Sequence, residues 1–470
     1  MIRTSNVIIS ITNLFLISLG IILYSFTLDL VVTQFIYLLG VSLCSVILVK
    51  TSNNIILFSR ITLLFLVGAY PLGVKLLDES YFFSVFEFGT QSLDITIVMF
   101  SLMLISIPGA YLGWVFGAKC TDTPNIKKQH YNRNELRGFF YFTAIAAVVS
   151  GYMLTLNSTG TIFLASYGSG VEGTPFFGTI STIGGTALSI MFYSALVLKN
   201  KNYMKATILV SIYLLIYCQL LRGLRQDIIG TLFSMFVIYL LQSKGKININ
   251  MKLIFLTIPM VIFMEAWGLV RTGMHMWLND QADFSDVINQ GLGNAAVMDN
   301  VIYSGTLGPI STTLANTIYL LKNETIDFIY GNSYIDYILR TPPEFLYPDR
   351  PKDYATMFSN FNLSAGGGFF ELAEAYLNFG IIGAFIVPFV LSLVISIIYL
   401  NAKRNNGIFA IFALSSILCI WIRGAWYQTF AYYKSFISAT ILFLAIKCIL
   451  VLYRMIKLTL KKNYIQQCRS

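Results

Sequence analysis

The stretch LAEAYLNFGIIGAFIVPFVLSLVISIIYL, residues 372–400, contains a single charged residue, Glu374, in an otherwise apolar or weakly polar run. A helix needs about 20 mainly apolar residues to cross the ~30 Å of hydrocarbon in a bilayer, so this run is long enough. Similar runs recur along the 470-residue chain, which is 56% hydrophobic, 11% charged and has a mean hydropathy of +0.71. The sequence therefore predicts a multi-pass membrane protein.

The apolar runs predict an all-α fold with about twelve transmembrane helices. No soluble domain is set apart, so residues 1–470 are expected to form a single integral membrane domain. The predicted spans are 7–27, 30–49, 55–77, 93–117, 138–157, 181–198, 206–222, 226–242, 252–270, 372–400, 408–422 and 435–453. One large hydrophilic stretch, 271–370, separates the ninth and tenth spans.

The lysines and arginines fall mostly in alternate connections and in the tail that begins at Arg454. Because cytoplasmic loops are enriched in these residues, we expect both termini to be cytoplasmic. The stretch 271–370 then faces outward. The same topology accounts for most of the net charge of +10, so nucleic-acid binding is not expected.

Metal and cofactor signatures are not found in the sequence. The six cysteines form no CxxC pair, and no HExxH motif or glycine-rich nucleotide loop occurs. We therefore expect no metal, no cofactor and no disulfide framework, and we do not expect ATP or a nucleotide sugar as direct substrate.

Four arginines lie at the outward ends of predicted spans. Arg222 and Arg225 belong to LLRGLRQD, Arg271 to GLVRTGM and Arg423 to IWIRGAW. Each guanidinium alone could extend to water at the membrane surface. Four at one depth favour a shared role instead, and the planar guanidinium suits bidentate binding of phosphate oxygens such as those of a lipid pyrophosphate.

The outward stretch ends in two informative segments, TPPEFLYPDRPKDY (341–354) and SAGGGFFELAEAYLNFG (364–380). Glu371, Glu374 and Asn378 follow a spacing of three and then four residues, which predicts one helix face directed to the protein interior. The two glutamates could bind substrate, or they could stabilise the positive start of the helix. The tyrosines of the stretch could stack on sugars or pack within the loop; they include Tyr334, Tyr337, Tyr347 and Tyr354.

These motifs resemble the O-antigen and oligosaccharide repeat-unit polymerases of the Wzy type. The likeness rests on LLRGLRQDIIG, RTGM, YPDRPKDY, AEAYLNFG and RGAWYQ, and it covers most of the second half of the chain. The first half matches in hydropathy and number of spans.

The resemblance implies a GT-C-like membrane glycosyltransferase on the periplasmic side of the bacterial inner membrane. Its substrate would be an undecaprenyl-pyrophosphate-linked oligosaccharide, and a growing chain would pass to the next repeat unit. The family's pyrophosphate-binding arginines correspond to Arg225, Arg271 and Arg423, while Arg350 and Glu374 also match motif positions. Arg222 and Glu371 lie beside these residues and join them as candidate substrate ligands.

Glycosyl transfer also requires a base for the acceptor hydroxyl, and Glu374, Asp353 and His275 are the candidates. Related O-antigen ligases place a histidine in the large loop, but His275 lies at the start of this loop and could instead pack beside Trp277. An O-antigen ligase is one alternative function. A lipid-linked-oligosaccharide flippase is another, although it predicts short loops and charges in the middle of spans. A chain-length regulator and a separate flippase are expected partners, besides the membrane lipid itself.

Overall fold

The structure is a computed structural model of the chain. It describes residues 2–25, 32, 35–37, 39–40, 54–77, 92–121, 133–156, 177–220, 225–243, 277, 283–285, 307–340, 347–351, 369–405, 407–421, 424 and 429–467. Some side chains inside these ranges, including that of Arg225, lie outside the description.

The described residues are 91% helical, and none of them lies in a β-strand. The helices are α1 (Ile2–Ser25), α2 (Ile55–Leu77), α3 (Ser92–Cys120), α4 (Arg133–Leu156), α5 (Phe177–Leu198), α6 (Lys201–Ser211), α7 (Arg225–Ser243), α8 (Leu307–Lys322), α9 (Asn332–Leu339), α10 (Glu371–Asn405), α11 (Ile408–Cys419) and α12 (Thr429–Gln467). A π-helix, Ile212–Leu220, continues α6.

Several helices have the length and composition to cross a membrane. They are α3, α4, α6 with its π-helical continuation, α10 and α12; shorter apolar helices occur within α1, α2, α5, α7 and α11. Each of these helices falls on a predicted span, whereas the predicted spans 30–49 and 252–270 lie largely or wholly outside the described residues. The expected all-helical fold is confirmed, and the number of spans and the GT-C type stay predictions.

The chain divides into two compact units. The first comprises Met1–Pro124, Lys246–Leu400 and Arg423–Ala431, and the second comprises Asn125–Gly245, Asn401–Ile422 and Tyr432–Ser470. The single integral domain expected for 1–470 stays a prediction.

Helix α3 lies at the centre of the first unit, with 94% of its most apolar window buried. Its glycines let the backbone of α10 approach closely, because a Cβ at Gly109 or Gly113 would clash with the carbonyl oxygens of Phe385 or Phe389. Small residues four positions apart are typical of closely packed transmembrane helices. Because the residue numbers of the contacting positions increase in the same direction along both helices, α3 and α10 run parallel and begin at the same end of the unit.

A helix from the hydrophilic stretch packs among these apolar helices. Helix α8 contacts both α2 and α3. The Ser311 hydroxyl donates to the carbonyl of Val67 at 2.9 Å, and Lys322 pairs with Asp94 at 3.2 Å. Part of the stretch 271–370 therefore packs within the first unit.

The second unit is built on α4 and α5, which pack along each other. Its core includes Leu188, Met191, Leu214 and Cys218. Glu135 at the start of α4 forms ion pairs with Lys447 and Arg454 of α12, the latter at 3.2 Å.

Candidate functional site

The first turns of α10 carry three polar side chains that are buried on one face. Glu371 and Glu374 are each 1% exposed, and Asn378 is fully buried. This is the face that the spacing of these residues predicts. Buried polar groups of this kind require partners, because each would otherwise lose its hydrogen bonds to water without compensation.

Glu374 receives hydrogen bonds on both carboxylate oxygens. Oε1 accepts from Ser333 Oγ at 2.9 Å and from the hydroxyl of Tyr337, both on α9. Oε2 accepts from the main-chain N–H of Thr429, the first residue of α12, at 3.0 Å. These three donors compensate in part for the water that the buried carboxylate has lost. The carboxylate therefore holds α9 and the start of α12 against α10.

Asn378 extends this network by one helical turn. Its Oδ1 accepts from the N–H of Gly331 at 2.9 Å. Its Nδ2 donates to Ser333 Oγ at 2.9 Å and to the carbonyl of Glu374 at 2.8 Å. All polar atoms of the amide are thus engaged, and the turn that precedes α9 is fixed to α10.

That turn depends on a glycine. Gly331 has φ of +90°, a left-handed conformation that other residues adopt at a cost. A Cβ at this position would lie 3.1 Å from the ring of Phe379. The sequence Tyr330–Gly331–Asn332 therefore combines the backbone freedom and the small size that let α9 begin here.

Glu371 forms a buried ion pair with Arg60 of α2, whose side chain is 3% exposed. Charges inside a membrane protein usually pair with one another, as here. Arg60 was not among the predicted site residues, although a cation inside the apolar run IILFSRITLLF was the available signal. Both residues lie near the starts of their helices, and the alternating order of predicted spans would put those starts on opposite sides of the membrane, yet the structure brings the two side chains together.

Aromatic rings surround the Glu374 network. The ring of Tyr337 stacks on Phe430 at 4.8 Å between centroids, and the guanidinium of Arg340 lies 5.4 Å from the centre of the same ring. Tyr334 is parallel to Phe379 at 6.0 Å. Burial, with the nearby charge of Glu374, raises the pKa of Tyr334 well above its usual value.

Of the two roles considered for the tyrosines of the stretch, the structure supports packing for Tyr334 and Tyr337. Tyr347 is 38% exposed, and Tyr354 lies outside the described residues. Ser333 and Tyr337 were not assigned as partners of Glu374 by sequence reasoning. Their spacing of four residues on α9 is the only local sign that they share a helix face.

The other predicted site residues are less fully described. Arg350 is half-buried, and its N–H donates to the carbonyl of Tyr347 at 3.4 Å. Arg225 begins α7 in the second unit. The residues outside the described part of the chain are Arg222, Arg271, His275, Asp353 and Arg423. The shared pyrophosphate site of the arginines and the identity of the base therefore stay predictions.

Metal-binding potential can be judged for the part of the chain that is described. There, no group of three or more His, Cys, Asp and Glu side chains lies close enough together to hold an ion. Around Glu374, the hydroxyl and main-chain N–H groups donate to the carboxylate.

A groove of about 450 Å³ opens beside the polar network. One side is formed by Phe328 and Tyr330, and the other by residues of α10; they are Asn378, Phe379, Gly380, Ile382 and Ile386. Helix α10 is interrupted at Gly380, where φ is +59° and ψ is −146°, and this residue lines the groove.

A comparison with known protein families shows a match to this chain. The family model described as "O-antigen polysaccharide polymerase Wzy" matches residues 7–463, nearly the whole chain. Neither the curated proteins nor the solved structures gave a significant match. The resemblance noted from five motifs between residues 220 and 428 is confirmed, and the match extends through the first half.

Proposed function

The chain belongs to the O-antigen polysaccharide polymerase Wzy family, and we propose that it polymerises undecaprenyl-pyrophosphate-linked repeat units on the periplasmic side of the bacterial inner membrane. The family match over 7–463 carries this proposal. The family acts on lipid-linked oligosaccharide repeat units in membranes, and the apolar helices make this chain a multi-pass membrane protein. Our proposal adds the identity of the lipid carrier, the side of the membrane and the reaction mechanism.

In the proposed reaction, a hydroxyl of the acceptor repeat unit attacks the anomeric carbon that joins the growing chain to its carrier. The new glycosidic bond forms as the bond to the pyrophosphate oxygen breaks, and the hydroxyl proton passes to a base. Negative charge develops on the departing lipid pyrophosphate. Arg225, Arg271 and Arg423 are proposed to offset this charge, with Arg222 and Arg350 beside them.

The contacts of Glu374 favour a positioning role over a role as base. Its two oxygens already accept hydrogen bonds from Ser333, Tyr337 and Thr429, and the side chain is 1% exposed. A base must reach the acceptor hydroxyl directly or through one water. In our proposal, that task belongs to Asp353 or His275.

The place of Thr429 in the sequence indicates which segment Glu374 holds in position. Thr429 comes directly after RGAWYQ, the motif that begins with Arg423. The hydrogen bond from Thr429 N to Glu374 fixes the end of this segment to α10. Glu374 is therefore proposed to orient Arg423 indirectly, and the buried pair of Glu371 with Arg60 anchors the same helix start.

Deleting the gene in its host and resolving the surface polysaccharide by gel tests the proposal. A product with one repeat unit on the lipid core is expected, because ligation and export continue when polymerisation stops. Loss of all surface saccharide would instead identify a flippase or an O-antigen ligase. A normal ladder of long chains would contradict a polymerase. The chain-length regulator and the flippase act as separate partners in this scheme.

A further inference from the structure

We propose that the groove beside the Gly380 break binds the isoprenoid chain of the lipid carrier, next to its pyrophosphate end. This inference rests on the proposed function, since it names where the hydrophobic part of that substrate lies.

The lining of the groove suits a hydrocarbon. Phe328 and Tyr330 face the apolar residues Phe379, Ile382 and Ile386 of α10. The polar atoms of Asn378 are engaged with Gly331, Ser333 and Glu374, so its amide has little capacity left for a ligand. A sugar ring would require polar partners for its hydroxyls, whereas an isoprenoid chain requires none.

The position of the groove is held by backbone contacts. The N–H of Ile329 donates to the carbonyl of Leu377 at 3.1 Å, which aligns the segment of Phe328 and Tyr330 with α10. Phe328 packs edge-on against Tyr376 at 6.2 Å. The volume of about 450 Å³ lies within the ~300–1,000 Å³ range of small-molecule sites.

The groove continues as a row of exposed apolar side chains along α10. Ile382, Ile386, Val390 and Val394 follow one another at intervals of four and are between 44% and 62% exposed. The helix that carries them is long and apolar enough to cross a membrane. A carrier bound in the groove would therefore direct its tail along α10 into the lipid, while its pyrophosphate would lie near the Glu374 network.

The wild-type protein can be tested without any sugar. The full-length chain in nanodiscs is photolabelled with undecaprenyl phosphate that carries a diazirine in the isoprene units nearest the phosphate. A diacyl phosphatidylglycerol with the same group on one acyl chain is the comparison. The prenyl probe should label residues 328–330 and 379–386 at least about tenfold more than the phospholipid probe, and unlabelled undecaprenyl phosphate should compete. Equal labelling by both probes would overturn the proposal in favour of bulk lipid.

Two variants refine this test. Ile382→Trp and Ile386→Trp should fill the groove and reduce prenyl labelling several-fold. Ile441→Trp is the matched control, because Ile441 is as exposed as Ile382, at 62%, but lies on α12. An equal decrease of labelling in the control variant would contradict the proposal. If a variant fails to fold, the set of residues labelled in the wild-type protein decides whether the groove binds the carrier.

The two proposals can fail separately. Photolabelling needs neither a sugar nor polymerisation. If the deletion strain makes single repeat units but the prenyl probe does not label the groove, only the proposed carrier site is overturned. If the prenyl probe labels the groove but deletion of the gene leaves long chains intact, only the proposed polymerase function is overturned.

Discussion

The main-chain N–H of Thr429 donates to Oε2 of Glu374 at 3.0 Å, which joins two positions 55 residues apart in the chain. Glu374 also accepts from Ser333 and Tyr337 of α9. One carboxylate thus connects the start of α10, the start of α12 and a helix of the hydrophilic stretch.

Glu374→Gln should lower the free energy of unfolding by about 1.5–3 kcal/mol, because the amide keeps the shape but loses the charge that three donors face. Polymer length should fall while the pH profile of polymerisation stays that of the wild type. Thermal unfolding of the purified protein and a polymer ladder measured across pH check both effects.

The exposed Glu324→Gln change makes the same chemical replacement and should leave both measurements unchanged. If Glu374→Gln instead abolished activity without any loss of stability, Glu374 would be the base and our positioning role would be wrong.

Arg60→Ala should cost about 3–5 kcal/mol of stability, because it leaves the buried charge of Glu371 without its partner. The double variant Arg60→Met with Glu371→Leu should recover much of that loss, since no charge is then buried. A double-mutant cycle on denaturant unfolding measures the coupling.

Lys322→Ala supplies the control for the ion pair. It breaks the pair with Asp94, in which both side chains are 38% exposed, and should cost no more than about 1 kcal/mol. Equal losses from Arg60→Ala and Lys322→Ala would show that the Arg60 pair is not buried in the protein.

Gly380→Ala should destabilise the protein by about 1–3 kcal/mol, because φ of +59° with ψ of −146° is essentially restricted to glycine. Gly407→Ala is the control, since Gly407 has φ of −59° and a Cβ there would meet only ordinary contacts. Unfolding temperatures of the two variants should therefore differ clearly; similar values would argue against the helix break at Gly380.

Arg271→Ala and Arg423→Ala should each abolish long chains while expression persists, because the departing pyrophosphate would lose a positive charge. The surface polysaccharide ladder and an immunoblot measure the two quantities. Arg454→Ala, a change at a half-exposed site on α12, should leave the ladder normal. Normal ladders from both Arg271→Ala and Arg423→Ala would refute the proposed pyrophosphate site.

Sequence reasoning predicted the features that depend on neighbouring residues. Hydropathy located the helices, and the spacing of Glu371, Glu374 and Asn378 predicted their common buried face. It could not identify Ser333 as a partner of Glu374, because 41 positions separate them and no local pattern records that contact.

Two further structural features could not be predicted from hydropathy. The run 372–400 reads as one continuous helix, yet α10 breaks at Gly380, because a glycine changes the backbone without changing the apolar character of the run. The pairing of Arg60 with Glu371 depends on how distant helices pack together. A hydropathy window that covers one span contains no information about that packing.

The break at Gly380 also sets an order of assembly. A helix that stops in a membrane leaves carbonyl groups in its last turn without their usual donors, and lipid cannot replace them. The N–H of Ile329 donates to the carbonyl of Leu377 in that turn, so a segment synthesised earlier completes a helix synthesised later. The nascent chain must therefore retain residues 326–340 close to the bilayer until α10 emerges, and this part of the protein should become resistant to protease only after α10 has been inserted.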